Sequence, residues 1–444
     1  MREEILTRVA EDNAKFICFQ FTDIVGTVKS VDIPASRLEK VLDEGIWFDG
    51  SSVEGFARIQ ESDMRLIPDA STYAVLPWSS EETRRARVIC DVYTPEGEPF
   101  SADPRSVLKR TLAALEERGW RYDVGTEPEF FLVKSNGGDS LHPVPHDVGG
   151  YFDFSASDEA QQVRTRLMSA LDQMGLEVEM GHHEVALGQH EIDFHFADAL
   201  RTADNVVTLK YTVRALAAQH GLTATFMPKP FFGMNGSGMH IHQSMSDRDG
   251  TNVFYDASDP LLLSKEMYHF MAGQLEHARS LSAIGAPTVN SYKRIVSGYE
   301  APVYVCWAQI NRSAMIRIPS QTGNNGSGVR AELRFPDPSC NPYLAFAAIL
   351  AAGLDGIERK LMCPEPVNHL NIYEMDEAEL HSRGIAQLPG SLREALDALA
   401  EDRVVIDALG GDTYEVFQRA KRAEWEQFNI QVTDWEIDQY LETA

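Results

Sequence analysis

The stretch HHEVALGQHEIDFHF, residues 182–196, gathers four histidines and three acids among apolar residues that suit a protein core. Burying ionisable groups without partners is costly, so such a segment needs a compensating interaction. Carboxylates and imidazoles together are typical ligands of divalent cations. We therefore expect either a metal site or a network of hydrogen-bonded structural histidines here.

Four segments alternate ionisable and apolar residues with the two-residue period of a β-strand. The ionisable positions are Glu127 and Glu129 in TEPEFFLV; Glu191, Asp193 and His195 in HEIDFHF; His240 and His242 in GMHIHQS; and Arg330, Glu332 and Arg334 in VRAELRF. Because alternate residues of a strand share a face, each strand is predicted to have one apolar and one ionisable face. An antiparallel sheet that turns its polar face to water would explain any one of these patterns alone.

The ionisable positions hold Glu, His and Arg, with almost no Lys, Ser or Thr. Neighbouring carboxylates such as Glu127 and Glu129 repel, so a cation is expected among them. Mg²⁺ and Mn²⁺ prefer oxygen ligands, and Mn²⁺ also accepts imidazole, whereas Zn²⁺ favours Cys and His. The candidate ligands of Mg²⁺ or Mn²⁺ are Glu127, Glu129, Glu184, Glu191, His240 and Glu332.

Arginines accompany these acids, and their guanidinium groups bind phosphate and carboxylate in bidentate fashion. The candidates are Arg294, Arg312, Arg317, Arg330 and Arg334. Divalent cations combined with arginines are typical of phosphoryl transfer from a nucleotide.

The glycine-rich segment GMNGSGMH, residues 233–240, lacks both the GK[ST] ending of a phosphate loop and the GxGxxG order. Two explanations stay open. The glycines either let the backbone approach a small ligand closely or only form a chain turn.

The elements that must position these residues fall into two regions. Residues 15–100 have the pattern of short strands and turns, with a loop at 47–64. A helix is predicted to begin at Asp103 and Pro104 and to end at Gly119. The domain boundary is placed at the start of this helix. Further helices are predicted at residues 160–175, 202–220 and 340–361, the last as a buried core helix. The amphipathic segment DTYEVFQRAKRAEWEQF is expected to dock on the chain's own core or on a partner subunit.

Composition narrows the class of protein. The 444 residues carry a formal charge of −27, which opposes binding to nucleic acid or anionic lipid. No segment approaches the roughly 18 uninterrupted apolar residues of a membrane helix. The five scattered cysteines form no CxxC pair, and the N-terminus lacks a secretion signal. A soluble, cytoplasmic protein of two domains is expected.

Seven blocks of the sequence resemble type I glutamine synthetase, in the order in which that family has them. They are DGSSVEGF (49–56), EPEFFL (127–132), HHEVALGQHEID (182–193), NGSGMHIHQS (235–244), NSYKRIVSGYEAPV (290–303), NRSAMIRIP (311–319) and RAELRFPDPSCNPYLAF (330–346). The resemblance implies an α+β chain with a small β-grasp-like domain, residues 1–102. A catalytic domain with a curved antiparallel sheet and flanking helices follows, residues 103–444. It also implies ATP-dependent ligation of ammonia to glutamate through γ-glutamyl phosphate, in nitrogen assimilation.

The same resemblance implies a role for each candidate residue. One divalent ion would be held near glutamate by Glu129, Glu184 and Glu191, and another at the ATP phosphates by Glu127, His240 and Glu332. Glutamate would contact Asn235, Gly236, Arg294 and Arg334. The nucleotide would contact His242, Ser244, Arg312, Arg317 and Arg330, with Arg312 also counted as catalytic. Structural roles are expected for His182, His183, His190 and His195.

Ammonium is expected to bind near Asp49, Ser52 and Glu300, with Asp49 and Glu300 catalytic and Glu300 on a movable flap. By resemblance, Asp49 and Ser52 serve the neighbouring subunit's site, and the assembly is a dodecamer of two hexameric rings. Nitrogen-regulatory proteins are candidate partners.

The segment EGFARIQESDM resembles the alpha subtype, in which the counterpart of Arg58 takes part in glutamine feedback inhibition. NIYEMDEAEL, with Tyr373, departs from the adenylylated subtype, so no adenylylation is expected. Two alternatives stay open: a related ligase that joins glutamate to a polyamine or another amine, and a catalytically silent regulatory ring. The DGSS and NSYKR blocks favour ammonia over larger amines, and the presence of all the expected acids favours a catalyst over a silent ring.

Overall fold

The computed structural model describes residues 2–50, 63–134, 143–154, 159–311, 313–320, 326–368, 372 and 375–443. Four residues singled out by the sequence, Ser52, Arg58, Arg312 and Tyr373, lie outside the described residues.

A small sheet forms the first part of the chain. Its strands are β1 (Phe16–Thr22), β2 (Val28–Pro34), β3 (Ile46–Asp49), β4 (Asp63–Val75) and β5 (Arg85–Tyr93), in the order β2-β1-β5-β4-β3. Strands β1 and β5 are parallel, and the other pairs are antiparallel. Helices α1 (Arg2–Glu11) and α2 (Leu38–Glu44), with a short 3-10 helix (Ala35–Arg37), pack on this sheet around Phe19, Leu38 and Val88.

A larger sheet carries the predicted ionisable faces. Its strands are β6 (Trp120–Lys134), β7 (Val178–His183), β8 (Gln189–Phe194), β9 (Ala197–Asp198), β10 (Leu222–Thr225), β11 (Met239–Asp247), β12 (Tyr304–Ala308), β13 (Ala314–Arg317), β14 (Ala331–Leu333) and β15 (Ala386–Gln387). The order is β15-β12-β13-β14-β11-β6-β8-β7, with β9 and β10 also paired to β6. Within the described residues every pair is antiparallel except β12 with β13, so the predicted antiparallel sheet has one parallel pair.

Helices accompany the larger sheet, and the first three of them pack directly against its strands. They are α3 (Pro104–Glu117), α4 (Glu159–Gln173), α5 (Ala199–Gln219), α6 (Lys265–Glu276), α7 (Ala278–Gly285), α8 (Ser291–Arg294), α9 (Pro342–Arg359), α10 (Glu377–Ser382), α11 (Leu392–Glu401), α12 (Arg403–Leu409), α13 (Gly411–Asn429) and α14 (Asp434–Tyr440). As predicted, Asp103 caps α3 by accepting a hydrogen bond from the Ser106 amide, and Pro104 occupies the first turn.

Helix α9 is the predicted core helix, and nearly all its residues are buried. It crosses α6 closely at glycines. A Cβ on Gly273 would lie 2.1 Å from the carbonyl oxygen of Ala352, and a Cβ on Gly353 would lie 2.1 Å from the Phe270 ring. Across the described part of the chain, each helix falls short of the length and apolarity that crossing a membrane requires.

Arg105 of α3 joins the small sheet to the helical layer. Its guanidinium contacts Asp69 on β4 at 2.8 Å, Asp91 on β5 at 2.7 Å and Asp204 on α5 at 2.9 Å. The Tyr343 hydroxyl of α9 donates to Asp204 at 2.7 Å. Arg105 and Asp204 are buried, so the small sheet is fixed to the helical layer by a charge network with little access to water.

The amphipathic C-terminal segment docks on the chain's own core through Val416 and Phe417 of α13. Most residues that follow α13 are exposed instead of buried. Ile430, Trp435 and Leu441 expose most of their surface, so residues 430–441 present apolar side chains to their surroundings.

Candidate active site

The strand order brings the predicted ionisable faces together. Glu129 on β6 lies directly opposite Glu191 on β8, and Glu127 on β6 lies opposite His240 on β11. On the next strand, β14, Glu332 is paired with His242 of β11. Segments far apart in sequence thus place their acids and imidazoles on one face of adjacent strands.

These side chains line a cavity of about 390 Å³. Its described lining residues are Glu127, Glu129, Tyr151, Phe152, Met180, His182, Glu184, Val185, Gln189, Glu191, Asp193, Asn235, Gly236, His240, Arg294, Tyr299, Glu300, Arg317 and Arg334. Five of the six predicted metal ligands line the cavity directly. The sixth, Glu332, contacts the lining residues Arg317 and Arg334.

Glu127, His240 and Glu332 form the first acidic group. One ligand atom from each lies within 4.8 Å of the others. Glu127 accepts hydrogen bonds from His240 Nδ1 at 3.1 Å and His242 Nε2 at 2.7 Å. Arg330 Nε donates to His242 Nδ1 at 3.1 Å, so the neutral His242 ring carries its proton on Nε2 and points it at Glu127.

The charges in this first group are set by their neighbours. Burial opposes ionisation of Glu127, but the hydrogen bonds from His240 and His242 outweigh it and lower the Glu127 pKa. Burial likewise opposes ionisation of Glu332, but His240 and Arg334 outweigh it and lower the Glu332 pKa. Burial lowers the pKa of His240 to about 4, so its imidazole is neutral at pH 7. In the tautomer protonated at Nε2, its Nδ1 atom has a lone pair for a cation.

Glu129, Glu184 and Glu191 form the second acidic group. Glu129 accepts hydrogen bonds from Gln189 Nε2 at 2.6 Å and the Gly238 amide at 3.1 Å. Burial, with the charge of Glu191, raises the pKa of Glu129 well above its usual range. Burial also raises the pKa of Glu191 to about 9, with Glu127 and Glu184 adding to the effect. These acids repel one another unless protons or a cation lie between them.

The turn between β7 and β8 positions Glu184 in this second group. Gly188 adopts φ +71°, and a Cβ there would lie 2.8 Å from the Leu132 carbonyl oxygen. Asp147 accepts from the Gly188 amide at 2.7 Å and from His183 Nε2 at 3.1 Å. His183 Nδ1 donates to the Glu184 carbonyl at 2.6 Å. The predicted irregular connection at Gly188 is therefore held from outside by Asp147 and His183.

Replacing Asp147 with alanine is expected to weaken Mn²⁺ binding by about 10- to 100-fold, the range typical of outer residues that orient metal ligands. The reason is that Glu184 would lose the anchors of its turn. Asp147→Asn keeps an acceptor for the Gly188 amide and should retain most of the affinity. Calorimetric titration with Mn²⁺ measures this, and equal affinities for the alanine variant and wild type would contradict it.

The stability of the metal-free chain is expected to depend on pH, because the pKa values of its buried carboxyl groups are raised. Burial and Glu191 raise the pKa of Asp193 to about 9, as burial and Glu127 do for Glu191. Unfolded carboxyls titrate near pH 4, so between pH 5 and 9 the folded, metal-free chain holds more protons and loses stability as pH rises. Mn²⁺ must displace those protons, and its stabilising effect should therefore grow over the same window.

Thermal melts at pH 6 and pH 8.5, with and without Mn²⁺, test this expectation. The metal-free melting temperature should be lower at pH 8.5, and the rise on adding Mn²⁺ should be larger there. His183 and His277 also have raised pKa values and act in the same direction. The double variant Glu191→Gln, Asp193→Asn separates them, because it should reduce the carboxyl contribution, with Glu129 and Glu184 remaining, and leave that of the histidines. A metal-free melting temperature that climbs from pH 6 to 8.5 would contradict the prediction.

The predicted glutamate contacts lie at one end of the cavity. Arg294 is buried, and its guanidinium donates to the carbonyl oxygens of Phe335 at 2.8 Å and Arg334 at 3.2 Å. A Cβ on Gly236 would lie 2.2 Å from the Pro228 carbonyl oxygen. The glycine at 236 is thus required by close packing of this cavity-lining segment against the chain's own backbone.

Glu300 faces the second acidic group across the cavity. It has φ +55°, follows Gly298 at φ +94°, and accepts from Asn235 Nδ2 at 3.3 Å. The neighbouring Tyr299 ring lies under Lys229 Nζ, 3.7 Å from the ring centre. The negative charge of Glu300 contributes to the raised pKa of Glu184, after burial. An anionic pocket of this kind suits a small cation such as ammonium.

Not every predicted residue reaches the cavity. Among the described residues, Asp49 and Ser244 do not line it. Asp49 ends β3 in the small sheet, opposite Asp63, while Ser244 lies further along β11, opposite Asp123. His242 reaches the site by donating to Glu127, and Arg330 reaches it one step further out, by donating to His242.

The cavity also contains residues that the sequence interpretation did not assign, namely Tyr151, Phe152, Gln189, Asp193 and Tyr299. Asp193 carried a signal, because strand alternation placed it on the face of Glu191. Tyr151 and Phe152 lie on an irregular segment, where no periodicity points to a site. His183, His190 and His195 are hydrogen-bonded, to Asp147, Arg164 and Glu179 respectively, as expected of structural histidines.

The donor sets fit divalent cations. The first group offers two carboxylates and a neutral imidazole whose ligand atoms lie within 4.8 Å of one another. The second offers three carboxylates that line the same cavity, and burial is the main cause of their raised pKa values. Hard divalent cations with oxygen-rich ligand sets relieve this kind of repulsion. The residues present therefore suit Mg²⁺ or Mn²⁺ at both groups.

Comparisons with known proteins agree along the whole chain. The family model "Glutamine synthetase, beta-Grasp domain" matches residues 13–95, and "Glutamine synthetase, catalytic domain" matches residues 101–440. The glutamine synthetase of Thermus thermophilus is 51% identical over 446 residues, covering 100% of this chain and 99% of the relative. That of Methanococcus maripaludis is 52% identical over 447 residues, covering 99% of each chain.

Solved structures show the same fold. A GmaS–ADP complex superposes with a TM-score of 0.89 at 35% identity, covering 98% of this chain and 99% of that one. The cryo-EM structure of Plasmodium falciparum glutamine synthetase also gives 0.89, at 26% identity, covering 99% and 98%. The predicted fold class, a β-grasp domain followed by a catalytic domain with a curved sheet and helices, is confirmed.

Proposed function

The chain belongs to the glutamine synthetase family, and we propose that it joins ammonia to L-glutamate with ATP, forming L-glutamine, ADP and phosphate through γ-glutamyl phosphate. The observation that carries this proposal is the first acidic group, Glu127, His240 and Glu332, whose ligand atoms lie within 4.8 Å of one another. It adjoins the cavity that the second acidic group and the arginines line. Such an arrangement suits a reaction in which a phosphoryl group passes to a carboxylate beside bound cations. Nitrogen assimilation in the cytoplasm is the proposed setting.

Two Mg²⁺ or Mn²⁺ ions are proposed as cofactors, one held by Glu127, His240 and Glu332 and one by Glu129, Glu184 and Glu191. When bound, such ions offset phosphate charge and polarise the phosphoryl oxygens. The chain's own contribution is to fix the ligands beforehand. His242 and Arg330 orient Glu127, and Arg317 holds Glu332 at 2.9 Å.

The arginines are proposed to stabilise charge that develops on the transferred group and to grip substrate carboxylates. Arg317 and Arg330, with Arg312, face the nucleotide, together with His242 and Ser244. Arg294 and Arg334, with Asn235 and Gly236, face glutamate. Preorganised cations of this kind stabilise a transition state because they need not reorganise during the reaction. The ADP bound to the related GmaS supports a nucleotide at this fold.

Glu300 is the proposed base that deprotonates ammonium, because it borders the cavity on a strained backbone turn next to Glu184. Asp49 and Ser52 are proposed to complete the ammonium pocket of a neighbouring subunit. The position of Asp49 outside the chain's own cavity supports this sharing. A dodecamer of two hexameric rings is the proposed assembly, and the exposed apolar residues 430–441 offer one surface for it.

Measuring phosphate release distinguishes the proposed reaction from an amine ligase and from a catalytically silent ring. The full-length enzyme is assayed with glutamate, ATP and Mg²⁺, with ammonia compared against methylamine and a polyamine. The proposal predicts that ammonia gives the highest kcat/KM. A preference for another amine would identify an amine ligase, and no turnover with any amine would identify a silent ring.

Regulation by glutamine feedback is proposed through Arg58, and nitrogen-regulatory proteins remain candidate partners. Tyr373 is expected to stay unmodified. Intact-mass measurement of the protein from native cells should show no AMP adduct, and an adduct mapped to Tyr373 would contradict the expectation.

A further inference from the structure

Asp193 is a cavity-lining acid outside the two acidic groups described above. The residue is only 6% exposed, and its Oδ1 atom has no hydrogen-bond partner among the described residues. A buried carboxyl without a partner is costly, because it has left water without gaining a compensating interaction. We therefore expect Asp193 Oδ1 to bind a group that enters the cavity from solution.

Two neighbours share this part of the cavity with Asp193. Glu191 lies two residues earlier on β8 and therefore points to the same face. His182 on β7 lies directly opposite Glu191, with its Nε2 atom 3.2 Å from Glu191 Oε1. One ligand atom from each of the three residues lies within 4.8 Å of the others. The spacing suits a single ion held between two adjacent strands.

We propose that His182, Glu191 and Asp193 form an additional divalent-cation site, with Glu191 shared with the second acidic group. The inference rests on the proposed role of Glu191 as a metal ligand. A carboxylate has two oxygens and can serve two ions, one on each. The set of one imidazole and two carboxylates suits Mn²⁺ better than Mg²⁺, which prefers oxygen ligands and retains its waters.

The chemical role of this ion is to position Glu191. Without it, Glu191 has Glu127, Glu184 and Glu332 as negative neighbours and Arg334 as a positive one, and His182 Nε2 lies 3.2 Å from its Oε1 atom. The Phe152 ring packs edge-on against His182, 4.7 Å between ring centres, and keeps the imidazole beside the two acids. A simpler arrangement, in which His182 only donates a hydrogen bond to Glu191, would leave Asp193 Oδ1 without any partner. An ion satisfies all three side chains.

Equilibrium dialysis of the full-length protein against saturating Mn²⁺ tests the proposal. Asp193→Asn keeps the shape of the side chain but weakens it as a ligand, and it should bind one Mn²⁺ fewer per chain than wild type. His182→Gln should give the same loss and carries the test if Asp193→Asn does not fold. The control is Glu179→Gln, because Glu179 lies on the same strand as His182 but pairs with the exposed His195. It should bind as many ions as wild type.

The outcomes separate this inference from the proposed function. If wild type and Asp193→Asn bind equal numbers of Mn²⁺, the additional site does not exist, while the two proposed ions stand. If Asp193→Asn loses every ion, Asp193 belongs to a single joined cluster and the separate site is overturned. Wild-type protein that binds no Mn²⁺ would overturn both the additional site and the proposed function.

Discussion

Glu127→Gln is expected to lower kcat by about 10²–10³-fold, the usual effect of losing one group that stabilises transition-state charge. Glu127 sits between His240 and His242 at 3.1 and 2.7 Å and is central to the first acidic group. Glutamine retains the shape and can still accept from one imidazole, but it lacks the charge that a divalent ion needs. The fold should persist, because the surrounding strands bury their apolar faces on the opposite side.

Steady-state kinetics with varied Mg²⁺ measure this effect. The apparent KM for Mg²⁺ should rise together with the fall in kcat, since the variant loses a ligand. Glu179→Gln again serves as the control, because Glu179 is an exposed glutamate of the same sheet that pairs with His195, outside the cavity. If Glu127→Gln kept wild-type kcat and Mg²⁺ dependence, the assignment of the first acidic group to a phosphate-facing ion would be wrong.

Arg105→Ala is expected to destabilise the folded chain by about 3–5 kcal/mol, the loss typical of removing one partner from a buried ion pair. Burial opposes the charge on Arg105, but Asp204 and Asp91 outweigh it and raise the Arg105 pKa. Removing the guanidinium would leave buried Asp204 and the nearby Asp69 without the Arg105 charge, whereas Asp91 keeps its ion pair with Lys109. The attachment of the small sheet to α3 and α5 should suffer most.

Chemical denaturation of the purified variant and wild type measures the change. Arg393→Ala is the matched control, since Arg393 pairs with Asp397 on an exposed helix face, where the interaction is screened by solvent. The Arg393 variant should unfold near the wild-type midpoint. Equal midpoints for Arg105→Ala and wild type would show that the network contributes nothing to stability.

Much of the site was predictable from sequence because its residues follow local rules. Strand alternation correctly placed His240 and His242 opposite the apolar Met239 and Ile241. The start of α3 at Pro104 followed from its cap. These signals are local, since they depend only on neighbouring residues.

Other features depend on strand order, which no local pattern contains. The direct pairing of Glu129 with Glu191 joins segments about sixty residues apart and appears only once β6 and β8 are neighbours. The hydrogen bond from the Gly188 amide to Asp147 is also non-local. Asp193 was placed on the correct face, but the absence of a partner among the described residues is visible only in three dimensions.

We propose that divalent cations hold the side chains of the two acidic groups together. Crystals grown with ADP and Mn²⁺ test it most directly through anomalous diffraction at the manganese edge. We expect strong anomalous peaks within about 2.0–2.3 Å of carboxylate oxygens of both groups, at distances typical of Mn–O and Mn–N bonds. Peaks confined to the protein surface, with Glu129, Glu184 and Glu191 protonated and hydrogen-bonded to one another, would contradict it.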